Sequence, residues 1–265
     1  MESRKLLFFD IDGTLITDDG KRTFPDSAKE ALKLAREKGN LCFVNTGRVY
    51  VNVDDFIREA GFDGYVCGCG THIISEGKEL FHHSLSAERC RDIAHMCRKY
   101  NMMAIFEHAD LTGYDKEITG DAHREILDYF ITMKRKLIDD IDSPEFKFDK
   151  FTAWYEGENP YLDEFKSYIS PDFQYIQREG SFCELVPKGF SKATGIQFLL
   201  DYYNVPIENV FVFGDSNNDL EMLKYVPNSV AMGKCTPEVL AVSAYHTDTV
   251  LNDGIYKAMK HFGVI

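Results

Sequence analysis

The run Leu6-Leu7-Phe8-Phe9-Asp10-Ile11-Asp12-Gly13-Thr14-Leu15 constrains the fold of this chain more than any other stretch. Four consecutive large apolar residues read as a short strand buried on both faces, as inside a parallel sheet. Two carboxylates at i and i+2 follow it, then Gly-Thr, where the backbone turns. Asp and Gly after a strand are ordinary turn residues. Carboxylates at the end of a buried strand, however, are costly unless a cation or hydrogen-bond donors satisfy them. The carboxyl edge of a parallel sheet is also where open α/β folds bind ligands. The stretch therefore predicts a site as well as a strand.

The α/β rhythm continues downstream. A helix is predicted from Pro25-Asp26-Ser27, with Pro in the first turn and an acid at the positive end of the dipole. Ala28, Ala31, Leu32 and Ala35 make one apolar stripe, and Gly39 closes the helix. Leu41-Cys42-Phe43-Val44 is a second buried strand, ending in Asn45-Thr46-Gly47-Arg48. Strand, helix, strand is a βαβ unit with parallel strands, so Thr46 lies on the same edge as the carboxylates. Thr46 and Gly47 offer a hydroxyl and an unhindered N–H to a phosphoryl oxygen; Arg48 either meets substrate or braces the loop. A helix through Phe56 and Ile57 to Gly61 follows, then strand Tyr65-Val66-Cys67 and a hairpin around Gly77, from Ile73 to Phe81.

From about Leu85 to Glu184 the rhythm gives way to mixed helices and hairpins. Ser86 caps a helix with Cys90, Ile93, Ala94 and Cys97 inward. Extended runs are predicted near Met102–Phe106 and Leu111–Ile118, and a helix from about Asp121. Strands near Phe148–Tyr155, Phe173–Arg178 and Phe182–Val186 accompany a helix from Pro160 to Ile169. This texture reads as an α+β domain inserted into the first one. Then Ser191 caps a helix carrying Ile196, Leu199, Leu200 and Tyr203, with Lys192 in its first turn. A cation is the wrong sign there, which suggests that the ammonium is wanted near something negative. Val210-Phe211-Val212-Phe213 is a further buried strand, and Gly214-Asp215-Ser216-Asn217-Asn218-Asp219 at its end repeats the logic of the opening run.

Composition limits the functions open to such a chain. A net charge of −13 over 265 residues argues against nucleic acid or an anionic membrane as the partner. Hydrophobic residues at 44% allow a sizeable core. Seven scattered cysteines, with Met1-Glu2-Ser3-Arg4-Lys5 leading directly into the first strand, are expected of a reduced, cytoplasmic protein without a signal peptide. Cys67-Gly68-Cys69 has no second Cys pair or His cluster at zinc-ligand spacing, so buried thiols fit better than a metal. No apolar run is long enough to span a bilayer.

In order along the chain, these segments resemble the four motifs of the haloacid dehalogenase superfamily. D-I-D-G-T-L from Asp10 is similar to motif I, the strand ending in T-G-R at Arg48 to motif II, G-F-S-K-A from Gly189 to motif III, and G-D-S-N-N-D-L-E-M-L from Gly214 to motif IV. With Val230-Ala231-Met232-Gly233, Thr236-Pro237-Glu238 and Asn252-Asp253-Gly254-Ile255 in the tail, the chain resembles the Cof-type (class IIB) branch. Cys67-Gly68-Cys69-Gly70-Thr71 departs from the Asn-Gly-Ala-like stretch usual there. The resemblance implies a doubly wound, Rossmann-like parallel-sheet core from residues 1–84 and 185–265, with an inserted α+β C2B-type cap at 85–184. It implies an Mg²⁺-dependent phosphatase acting on a small phosphate ester. In that reading Asp10 is the nucleophile that forms an aspartyl-phosphate, and Asp12 is the general acid and base. Asp10, Asp215 and the Asp12 backbone carbonyl hold the metal, with Asp219 orienting that shell. Thr46, Gly47 and Lys192 hold phosphoryl oxygens, and Asn218 meets substrate phosphate or metal-bound water. A phosphosugar mutase of the phosphomannomutase kind and a catalytically silent phosphometabolite-binding regulator are the alternatives. His108, His123, Trp154 and Arg178 are the insertion's candidates for substrate contact, although such residues more often sit at a surface or in packing.

Overall fold

The strand expected from Leu6 to Phe9 is present, and all four of its side chains are buried. The structure is a computed structural model that describes residues 4–178 and 180–265; Met1–Ser3, read above as the lead into the first strand, and Glu179 of the insertion lie outside the described residues. The strands in chain order are β1 (Leu6–Phe9), β2 (Leu41–Asn45), β3 (Gly64–Cys67), β4 (His72–Ser75), β5 (Lys78–His82), β6 (Met103–Glu107), β7 (Thr112–Tyr114), β8 (Leu137–Ile138), β9 (Lys150–Trp154), β10 (Phe173–Gln177), β11 (Cys183–Pro187), β12 (Val210–Gly214), β13 (Asn228–Ala231) and β14 (Tyr245–His246). The helices are α1 (Asp26–Glu37), α2 (Asp55–Arg58), α3 (Ala87–Lys99), α4 (Asp121–Thr132), α5 (Leu162–Ile169), α6 (Lys192–Tyr203), α7 (Leu220–Tyr225), α8 (Pro237–Val242) and α9 (Gly254–His261).

The chain forms two compact units. The first comprises the chain through Arg48, Val53–Phe81 and Phe190–Ile265. Its sheet runs β14-β13-β12-β1-β2-β3-β4-β5. β1 pairs in parallel with both β12 and β2, Leu6 standing beside Val210 on one side and Leu41 on the other. Successive strands leave β1 in opposite directions, β2 and β3 one way and β12 to β14 the other, so β1 is a topological switch point. One face buries Leu6, Phe8, Phe43, Val66 and Val212 against Ile196, Leu199 and Leu200 of α6 and Met222 and Leu223 of α7. Phe8 stacks on Phe43 with ring centroids 5.1 Å apart. Phe9, pointing to the opposite face, stacks on Phe213 at 4.5 Å.

The second unit comprises His82–Gly189 together with Val49–Asn52. Its sheet, β10-β11-β9-β6-β7-β8, is antiparallel except where β8 joins β7. The unit reaches beyond the expected span of 85–184 because β11 runs to Pro187 and pairs with β10 and β9. Segment Val49–Asn52 belongs to it because Val51 N–H donates to the Ala109 carbonyl at 3.2 Å. Cys90, Ile93, Ala94 and Cys97 of α3, Phe165 and Ile169 of α5 and Phe106, Phe148 and Phe151 form its own core. The fold is an α/β core with an inserted α+β domain.

A few elements differ from those expected. The extended run expected over Leu111–Ile118 ends at Tyr114. There Asp115 turns its carboxylate to Arg98 Nε at 2.6 Å and also accepts from Glu117 N–H. The helix expected to reach Gly61 stops at Arg58. The short strand β8 was not anticipated, since two residues carry no periodicity.

Candidate active site

Parallel register brings the expected residues to one edge. Asp10 follows β1, Thr46 follows β2 and Asp215 follows β12, three neighbouring strands that end side by side. Asp10 N–H donates to the Phe213 carbonyl at 3.1 Å, extending the ladder by one rung into the site. The backbone then curls: Gly13 N–H returns to the Ile16 carbonyl at 2.9 Å. Gly13 has φ +80°, and a Cβ there would collide with the Asp215 carboxylate. Only glycine relieves both demands. Next to it, Thr14 Oγ1 donates to Asp215 Oδ1 at 3.0 Å.

Lys192 explains its own placement. Ser191 and Thr194 form a reciprocal capping box that starts α6, and the first helical residue directs its side chain inward, 1% exposed. Its Nζ donates to Asp10 Oδ1 at 2.5 Å and to Asp219 Oδ1 at 2.6 Å. Asp219 accepts at its other oxygen from Asp215 N–H at 3.0 Å and Ser216 N–H at 3.1 Å. Burial alone would lower the ammonium, but Asp10 and Asp219 hold it well above the usual lysine range. Burial pushes Asp10 up to about 7, against the Lys192 charge and helped by Asp219. Asp215 is pushed up to about 8 by burial and then by the charges of Asp10 and Asp219.

Three carboxylates thus face one ammonium, and two of them are held above their ordinary range. The cluster is short of positive charge. Ligand oxygens of Asp10, Asp215 and Asp219 all lie within 4.8 Å of one another, an all-oxygen set that suits a hard divalent cation. Such a cation would offset both the burial and the mutual repulsion that raise Asp10 and Asp215. The residues fit Mg²⁺.

The Asp12 side chain is not one of these grouped ligands and is 41% exposed. Arg48 forks onto it, with Nη2 at 2.5 Å from Oδ1 and Nε at 3.0 Å from Oδ2. Arg48 Nη1 also donates to Asp54 Oδ2 at 3.0 Å, and Arg22 pairs with the same Asp54 oxygen. Asp54 is 3% exposed at its side chain. It stands at the N-cap of α2 yet makes no capping hydrogen bond. Sequence reasoning missed Asp54 and Arg22, because an Asp before a helix reads as an ordinary cap. It also missed Asn45, whose Nδ2 donates to the Lys192 carbonyl at 3.1 Å.

Thr46 is buried, and its Oγ1 accepts from Arg48 N–H at 3.1 Å, with Gly47 between them in the chain. Asn218 lies on the same loop as Asp215 and accepts from Ser216 Oγ at 2.6 Å. Within the second unit, His108 and His123 are buried rather than at a surface. His123 Nε2 bonds the Ala104 carbonyl, Trp154 stacks on Phe182 at 4.9 Å, and Arg178 pairs with Glu184 at 2.6 Å. Cys67 and Cys69 are buried free thiols. Among the described residues they join no cluster able to hold a metal.

The model of the haloacid dehalogenase-like hydrolase family matches residues 7–259. The chain belongs to the haloacid dehalogenase-like hydrolases. This hydrolase is 28% identical to YkrA of Bacillus subtilis, provisionally named a phosphatase, over 98% of each chain. It is 27% identical to an HMP-PP phosphatase of Klebsiella pneumoniae, over 97% of this chain and 94% of that one. Among solved structures it is similar to a subclass IIB sugar phosphatase of the haloacid dehalogenase superfamily, with a TM-score of 0.81 and 26% identity over 98% of this chain and 100% of the other. The hydrolase is an enzyme of the phosphatase kind, in the class IIB, Cof-type branch.

Proposed function

We propose that this hydrolase is an Mg²⁺-dependent phosphatase of a small phosphorylated metabolite, a sugar phosphate or similar phosphomonoester, working through an aspartyl-phosphate. The observation that carries the reading is the buried Lys192 ammonium bridging Asp10 and Asp219, beside Asp215, at the carboxyl ends of adjacent parallel strands. The names of the Klebsiella pneumoniae and sugar-phosphatase relatives support the substrate class.

Asp10, Asp215 and the Asp12 backbone carbonyl would hold Mg²⁺, with Asp219 fixing their surroundings. Bound there, the ion supplies positive charge that favours ionised Asp10 and Asp215 and offsets the phosphoryl charge. The Asp10 carboxylate attacks phosphorus, forming one P–O bond as the ester P–O bond breaks. Asp12 gives its proton to the departing ester oxygen. It then takes a proton from the water that attacks the acyl phosphate, which regenerates Asp10 and releases phosphate. Lys192, Thr46 and the Gly47 N–H hold phosphoryl oxygens, and Asn218 meets the substrate phosphate. The inserted unit, residues 82–189, acts as a cap that selects among leaving groups. Seven free cysteines support a reducing, cytoplasmic setting, and among the described residues no helix is long and apolar enough to cross a membrane.

Asp10→Asn keeps the shape and removes the nucleophile, so phosphate release from a panel of phosphorylated metabolites should vanish while the protein stays folded. Substantial hydrolysis by the folded variant would sink the covalent mechanism. The same panel separates hydrolysis, which liberates phosphate, from a mutase, which returns an isomeric phosphosugar.

A further inference from the structure

We propose that Arg48 and Asp54 are positioning residues that set the direction of the Asp12 carboxyl for proton transfer, an inference that rests on Asp12 being the acid. Asp12 sits on a turn with its side chain 41% exposed, so burial by itself does not fix its rotation. The Arg48 guanidinium does, because it grips both carboxylate oxygens: Nη2 lies 2.5 Å from Oδ1 and 2.6 Å from Oδ2, and Nε lies 3.0 Å from Oδ2. A planar fork fixes the plane of the group it holds, as a point charge does not.

Arg48 is itself held at both ends. Its N–H donates to Thr46 Oγ1 at 3.1 Å, and its carbonyl accepts from Gly68 N–H at 2.8 Å. The far edge of the guanidinium meets Asp54 Oδ2 at 3.0 Å. Asp54 is buried and stands at a helix start, where an Asp ordinarily accepts from the next turn. It makes no such bond and pairs with Arg48 and Arg22 instead. With Asp12 ionised, two arginines and two aspartates leave this group without net charge, which argues for orientation rather than for a second anion-binding site. In the transfer itself, the proton on the Asp12 carboxyl passes to the ester oxygen while phosphorus moves from that oxygen to Asp10; Arg48 and Asp54 neither gain nor lose a proton.

The test compares phenyl phosphate with p-nitrophenyl phosphate. The two are similar in shape, but phenolate is the more basic leaving group and depends more on an acid. Values of kcat/KM report the steps through P–O cleavage, so later hydrolysis of the intermediate drops out. Asp54→Ala and Arg48→Lys should each cut kcat/KM on phenyl phosphate about tenfold or more, and on p-nitrophenyl phosphate by less than about threefold. Lysine keeps the charge and loses the fork, so a wild-type ratio of the two esters in Arg48→Lys would overturn the proposal. An equal fall on both esters would do the same, since a merely structural defect affects both alike. Arg48→Lys alone decides the matter should Asp54→Ala fail to fold. Asp12→Asn is run alongside. If it shows the selective loss and the other variants do not, only the positioning role fails. If Asp12→Asn shows no selective loss, the acid assignment fails and this proposal with it.

Discussion

Lys192 is the residue on which the energetics of the site turn. A buried ammonium between two buried carboxylates is strongly destabilising to remove, because both partners are left without compensation. Lys192→Met should therefore lower unfolding free energy by about 3–5 kcal/mol, read by urea titration in excess chelator. A loss no larger than the roughly 1 kcal/mol of an exposed pair would contradict the geometry. Asp10, held up to about 7, and Asp215, held up to about 8, carry a pH prediction. Both are raised above the ordinary carboxylate value, so the metal-free folded state keeps protons that the unfolded chain has released. Its stability should fall as pH rises from about 4 through about 8. Protons and cation compete for these oxygens, so Mg²⁺ binding measured by calorimetry should tighten from about pH 6 to about pH 8. Affinity that stays flat over that interval would show that these carboxylates are not the ligands.

At the scale of single elements, the turn after β1 carries the sharpest constraint. A Cβ on Gly13 would drive into Asp215, and the backbone there is left-handed. Gly13→Ala should raise the Mg²⁺ concentration needed for half-maximal activity by about tenfold or more, the scale on which support of a metal ligand matters. An unchanged metal requirement in the folded variant would mean that Gly13 and Asp215 do not share the site. Chelation should silence the wild-type enzyme, Mg²⁺ should restore it, and Ca²⁺ should be a poor substitute because it prefers more ligands at longer distances; full activity in excess chelator would rule out the metal reading. Elements of this kind were legible because their signals are short-range. Ser191 before an apolar stripe is a cap, and α6 starts at Lys192. Where a strand end depended on a partner distant in sequence, as Asp115 does on Arg98, periodicity overran it.

For the whole molecule, each unit owns an apolar interior: Phe106, Phe148 and Phe151 in one, Phe8, Phe43 and Val212 in the other. Excising 82–189 and bridging the flanks should leave a core that unfolds cooperatively, since each domain keeps its own core. Asp10, Asp12, Thr46, Lys192 and Asp215 all remain. That core should keep weak Mg²⁺-dependent hydrolysis of p-nitrophenyl phosphate and lose its ranking among larger phosphate esters. Assaying intact and excised protein side by side checks this, and an unchanged ranking would remove the insertion from specificity.

The chemistry brought to the sheet edge is written in local stretches of the chain. Buried apolar runs at Leu6, Leu41 and Val210 end in Asp10, Thr46 and Asp215, and parallel pairing leaves such ends side by side. The inversion of charge at Lys192 already signalled a nearby acid. The partners of those groups emerge only from the folded chain: Lys192 bridges Asp10 and Asp219, Arg48 grips Asp12, and Asp54 makes no helix cap and holds Arg48. The same holds for Val49–Asn52, which joins the inserted unit. The physical reason is common to all of these. Hydrophobic period and capping are written within a few residues, whereas an ion pair between residues 36 or 182 apart in sequence exists only once the strands have been placed.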